Sequence, residues 1–151
     1  MGRGHVLLAL AAASAALAGC SREEEAGLPD ACRAGEDAVR TALADAPGQV
    51  AIEDGTPLSA CLTRSSDAAD VQQVGSTYVA AAADLAADAK ARPEGPTALR
   101  LGYLIGSVRR GSARTQGIHS ELVRRMEQEL LGVNTRSEAF RRGERAGRAS
   151  G

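Results

Sequence analysis

Between Ser65 and Ala91 the apolar positions recur with a helical period. Val71, Val74, Tyr78, Ala82 and Leu85 fall on one narrow stripe, while Gln73, Asp84 and Asp88 point elsewhere. Ser65-Ser66-Asp67 supplies capping residues ahead of it, so an amphipathic helix is expected from there to about Ala91. Pro93 and Pro96 break the pattern, and Thr97 is the expected cap of the next one. Leu101, Ile105, Val108, Leu122, Met126 and Leu130 share a stripe if a single helix runs over residues 98–131. Such a helix would be about 50 Å long at 1.5 Å per residue. Gly102, Gly106, Gly111 and Gly117 each weaken it by up to about 1 kcal/mol relative to alanine, so a break near RRGSARTQG is the competing expectation.

Upstream, residues 29–45 read as a helix with Cys32, Val39 and Leu43 on one face. The segment APGQVAIEDGTPLS is punctuated by Pro47-Gly48 and Asp54-Gly55; Val50 and Ile52 alternate like a fragment of strand, which does not make a sheet. Thr56 followed by Pro57 reads as a cap with proline at the first helical position, opening a short helix that carries Leu58, Cys61 and Leu62. Beyond Gly132 apolar residues are few and glycines frequent, which predicts a flexible Arg-rich tail over residues 132–151. The fold class expected is all-α: a small three- or four-helix bundle over residues 29–131.

The N-terminal pattern is different. Residues 6–19 form an alanine- and leucine-rich apolar run, shorter than the roughly 20 residues that cross a bilayer. Arg3 and the amino terminus precede it, as in a secretory signal. The run closes on Leu17-Ala18-Gly19-Cys20 and turns at once into charge. This motif resembles the lipobox of bacterial lipoproteins, in which small residues precede a cysteine that becomes the mature amino terminus. The resemblance covers only the signal and that cysteine. It implies cleavage after residue 19, a thioether-linked diacylglycerol on Cys20 and an N-acyl lipid such as palmitate on the new amino group. With each buried CH₂ worth about 0.8 kcal/mol, two or three such chains make a stable anchor. The alternative is an ordinary secretory signal ending on a chance cysteine. Ser21 is not the aspartate associated with inner-membrane retention in Gram-negative lipoproteins, which favours the outer membrane in a two-membrane cell. In a one-membrane cell the outer face of the cytoplasmic membrane is expected. Residues 20–28 then form a lipidated tether, whose Glu23, Glu24 and Glu25 are repelled by anionic headgroups.

With Cys20 lipidated, Cys32 and Cys61 remain. In an oxidising compartment an even count reads as one disulfide, worth roughly 3 to 4 kcal/mol in the chain-entropy model. A redox pair would more often show close C-x-x-C spacing, and a structural zinc needs four ligands where His119 is the only histidine after the signal. The staple matters because aromatics make up 2% of the chain. A core of Ala, Leu, Val and Ile buries little area per residue at about 25 cal/mol per Å².

Candidate chemistry centres on residues 109–125. On a continuous helix Ser112, Thr115 and His119 interrupt the apolar stripe with a polar window, whose groups must find partners. It reads as a small ligand or enzymatic cleft around His119, as an internal hydrogen-bonded layer that fixes helix register, or as a local break that puts all three in water. The pattern contains no G-x-S-x-G elbow or Walker loop, and His119 and Glu121 diverge by about 200° on a helix. No catalytic set or metal site is therefore expected, and no cofactor beyond the covalent lipid. Charge is uneven: residues 20–99 hold 14 Asp and Glu against 6 Lys and Arg, and residues 100–151 hold 11 Arg against 5 Glu. Arg110, Arg114, Arg124 and Arg125 cluster opposite the apolar stripe, as a solvated face or as a docking face for an anionic partner. Few aromatics and an extracytoplasmic address argue against nucleic acid. The reading is of a lipid-anchored envelope protein that is a non-enzymatic interaction or scaffold protein presenting an Arg-rich helix. Binding to an envelope protein, to an anionic envelope polymer, or of a small ligand at His119 are the forms it could take.

Overall fold

A computed structural model describes residues 27–113 and 117–151. The expected signal, the Cys20 anchor, nearly all of the tether, Arg114 and Thr115 lie outside the described residues. The chain is all-α, and no strand occurs among the described residues. Six α-helices occur among the described residues: α1 Glu36–Ala42, α2 Leu58–Thr63, α3 Ala68–Ala91, α4 Pro96–Gly111, α5 Ile118–Glu129 and α6 Glu138–Ser150. Short 3₁₀ turns at Asp30–Arg33 and Leu43–Asp45 flank α1. The helix expected over residues 29–45 is thus interrupted, because Gly35 takes a positive φ of 86° between the first turn and α1. Its face survives the break: Cys32, Val39 and Leu43 are all buried.

α4 is the central element. It packs against α2, α3 and α6, and every residue from Leu101 to Val108 is buried. A helix apolar or small all round must be surrounded in this way. α3 runs beside it, with Val71, Val74, Tyr78, Ala82 and Leu85 buried as their spacing requires. Asp67 caps α3, its carboxylate accepting from the Asp70 amide at 2.8 Å. α4 begins one residue before Thr97, with Gly95 as its cap and Pro96 in the first turn; the Thr97 hydroxyl instead donates to Asp88 on α3. The Tyr78 hydroxyl donates to the Leu58 carbonyl at 2.7 Å, fastening α3 to α2. Cys32 and Cys61 form a disulfide with a Cα–Cα distance of 5.4 Å, tying the first turn to α2.

Two expectations are corrected. Leu28 is not part of a solvated tether: its side chain is buried, and its carbonyl accepts from Arg33 at 3.0 Å. The segment after Gly132 is not a flexible tail but carries α6, which packs along α4. The buried face of α6 is made of Phe140, Gly143 and Gly147, opposite Gly102 and Gly106 of α4. A β-carbon on Gly143 or Gly147 would strike the Leu99 or Tyr103 carbonyl; on Gly102 or Gly106 it would strike the Phe140 or Glu144 carbonyl. Four glycines in two reciprocal G-x-x-x-G pairs therefore let the backbones touch, with Cα–H groups aimed at facing carbonyls. The glycines that weaken α4 as an isolated helix are what join it to α6.

Both ends of α6 are secured. Ser137 caps it by accepting from the Phe140 amide at 3.2 Å, and Glu94 accepts from the Glu138 and Ala139 amides at 3.3 and 3.1 Å. At the other end Arg110 donates to the Arg148 and Ala149 carbonyls at 2.9 and 2.7 Å, and Ser59 donates to the Gly151 carbonyl.

Candidate functional site

The stripe that joined residues 98–131 does not run on one helix. α4 ends at Gly111 with Ser112 as its C-cap, and α5 starts after Gly117, whose φ is 72°. Gly117 has positive φ, where a β-carbon is disfavoured, so the chain leaves the helical path there. The polar window therefore does not rest on a single helix face. Ser112 and His119 are both buried, the first as the C-cap of α4 and the second in the first turn of α5. The His119 Nε2 lies 3.2 Å from the Leu62 carbonyl, an acceptor, so that nitrogen carries the proton and donates. His119 lines neither the cleft between α3 and α5 nor that between α1, α3 and α4.

The arginines singled out from the sequence are also separated. Arg110 is engaged by the last turn of α6. Arg124 and Arg125 lie exposed on α5, and both converge on one carboxylate. Arg124 donates to Glu121 from Nε at 2.9 Å and from Nη2 at 2.7 Å, and Arg125 from Nε at 3.1 Å. Hydrogen bonds from Arg124, then Arg125, hold the Glu121 carboxyl down at about 2. Two guanidiniums against one carboxylate leave this patch with a positive excess. Arg109, which the pattern did not single out, bridges Glu127 at 2.9 Å and Glu144. Burial opposes its charge, but the hydrogen bonds to Glu127 and Glu144 outweigh it and raise its pKa.

Beside the Glu121 patch, α5 and α3 enclose a cleft of about 600 Å³. Its floor is Val71, Gly75 and Val79 of α3 with Leu122 of α5, and Glu121 and Arg125 stand at its rim. Ile118, 51% exposed, lines it from the first turn of α5. Gly75 has no side chain, and Leu122 packs directly over it. A second cleft of about 580 Å³ lies between α1, α3 and α4 and is polar, with Arg40, Asp84, Asp88 and Arg100 in its wall. There Arg40 holds Asp84 at 3.1 Å and Glu36 at 3.8 Å. Desolvation, then the neighbouring Asp84, raises the Glu36 pKa, whereas the Thr97 hydroxyl, then Arg92, lowers that of Asp88. A third cleft, of about 760 Å³, has Ser59, Thr63, Arg109, Arg110 and Arg148 in its wall.

Among the described residues no three His, Cys, Asp or Glu side chains converge as a metal site, and no helix is long and apolar enough to cross a membrane. The α3–α5 cleft was not legible in the sequence because it forms between segments that a continuous helix would have held apart. Its one local signal is Gly75, a glycine on the apolar side of α3. No protein-family model matches the chain, and no similar protein was found among curated proteins or solved structures.

Proposed function

We propose that this is a lipid-anchored, extracytoplasmic envelope protein whose helical domain works by binding another envelope protein. The observation that carries the reading is the α3–α5 cleft: an apolar floor, a half-exposed Ile118, and a rim of Arg125 and Glu121, the latter also held by Arg124 outside the cleft. Apolar floors with charged rims are how protein surfaces combine affinity with orientation. The positive excess suits a partner segment with an aliphatic stripe flanked by carboxylates. The lipobox-like Leu17-Ala18-Gly19-Cys20 supports the address, since a diacylglycerol on Cys20 would hold the domain at a bilayer, on the outer membrane or on the outer face of the cytoplasmic membrane.

Two measurements test this. Palmitate labelling of the full chain in cells should be lost in Cys20→Ala, and retained label there would refute the anchor. A photo-crosslinking residue at Ile118 should attach one stoichiometric envelope protein, less so in the R124Q/R125Q variant. Attachment to polymer or lipid alone would refute the protein-partner reading. Binding that weakens steeply with salt would favour an anionic polymer instead.

A further inference from the structure

We infer that the outward face of α6 seats this domain on an anionic phospholipid surface. α6 turns Phe140, Gly143 and Gly147 inward, and at about 100° per residue this leaves Arg141, Arg142 and Arg145 together on the opposite side, all exposed. Among the described residues none of these three takes part in an ion pair. The arginines elsewhere are largely spoken for: Arg109 by Glu127 and Glu144, Arg148 by Glu144, Arg124 and Arg125 by Glu121. Glu138, in the first turn, is the one carboxylate on the outward face; Glu144 is turned toward Arg109 and Arg148.

The first half of the chain supplies these arginines with no ion pair among the described residues. Every ion pair among the described residues joins groups within residues 30–92 or within residues 109–148, and none crosses between them. No ion pair among the described residues therefore joins the acidic first half to the arginine-rich second half; Glu94 reaches α6 through the Glu138 and Ala139 amides and lines one cleft with Glu138 and Arg142, without pairing with that arginine. The backing is rigid, because α6 meets α4 backbone to backbone through Gly102, Gly106, Gly143 and Gly147. Arginines on a rigid helix face present their charges together, and near an anionic leaflet each raises surface affinity roughly fivefold. Phosphate headgroups suit them, since guanidinium pairs with phosphate oxygens through paired N–H donors. The inference rests on the lipid-anchor reading in one respect, that the anchor brings the domain to a bilayer.

The test uses the full-length lipidated protein in nanodiscs carrying a trace of lipid with a gadolinium-chelate headgroup. One disc type is phosphatidylcholine alone and the other includes phosphatidylglycerol. With phosphatidylglycerol, NMR amide signals of residues 141–149 should broaden several-fold more than those of residues 36–42 in acidic α1. The difference should collapse at high salt and in the R141Q/R142Q/R145Q variant, whose three positions are exposed and outside every ion pair among the described residues. Equal broadening of α6 and α1 in both discs would overturn the proposal, as would an unaltered pattern in the triple variant. A response of α6 to a soluble polyphosphate polymer but not to phosphatidylglycerol would overturn it in favour of a polymer. Failure of the anchor reads out separately, as an unmodified Cys20 by mass and no entry into phosphatidylcholine discs. Sedimentation of that chain with phosphatidylglycerol vesicles would then decide the arginine face by itself, with no pelleting counting against it.

Discussion

The backbone of Gly143 on α6 meets Leu99 on α4 so closely that a β-carbon at residue 143 would overlap the Leu99 carbonyl oxygen. The obstacle is backbone, so no side-chain rotation relieves it. On an exposed helix, Gly→Ala stabilises by up to about 1 kcal/mol. Here the sign reverses: Gly143→Ala should cost about 2 to 4 kcal/mol, as overpacking against a fixed wall does. Urea denaturation checks it, with Gly27→Ala as the control. Nothing lies within 4 Å of a β-carbon at Gly27, so that change should stay within about 0.5 kcal/mol.

Cys32 and Cys61 are 29 residues apart in sequence. Their bridge removes about 3 to 4 kcal/mol of loop-closure freedom from the unfolded chain in the entropy model. Replacing both by serine should lower the stability measured in urea by about that much. A loss under 1 kcal/mol would mean that the aliphatic core holds the first turn on α2 without the bridge.

Tyr78 is buried and donates to Leu58 at 2.7 Å. Tyr78→Phe should cost about 1 to 2 kcal/mol by leaving that carbonyl without its donor. Burial also pushes the phenol well above its ordinary range. The folded pKa exceeds the unfolded one, so the contribution is complete below about pH 10. It is lost as pH rises further, because the unfolded chain releases a proton that the folded one keeps. Stability followed upward from pH 9 should fall in the parent and fall less steeply in the Phe variant.

Glu121 sits under two guanidiniums, and its carboxyl is held down at about 2. In the R124Q/R125Q variant its NMR titration should move up toward the ordinary glutamate value near 4.3. The linked stabilisation is present above that value and lost as pH falls toward 2. Because the cluster is exposed, added salt should shrink the difference between parent and variant.

Much of the helical core was legible in the chain by itself. The spacing of Val71, Val74, Tyr78, Ala82 and Leu85 set the buried face of α3, Asp67 marked its start, and the cysteine count named the bridge. These are local signals, written in the period of apolar side chains and in capping chemistry. The tertiary structure decided the rest. α6 read as tail because its buried face holds one phenylalanine and two glycines, and a face that packs by lacking side chains leaves no hydrophobic period to find. The seam through Ser112 and His119 depended on a continuous helix, whereas α4 ends at Gly111 and α5 starts at Ile118. Which arginines are spent and which are free followed from where Glu121, Glu127 and Glu144 came to lie, a matter of distances across helices that residue order does not contain.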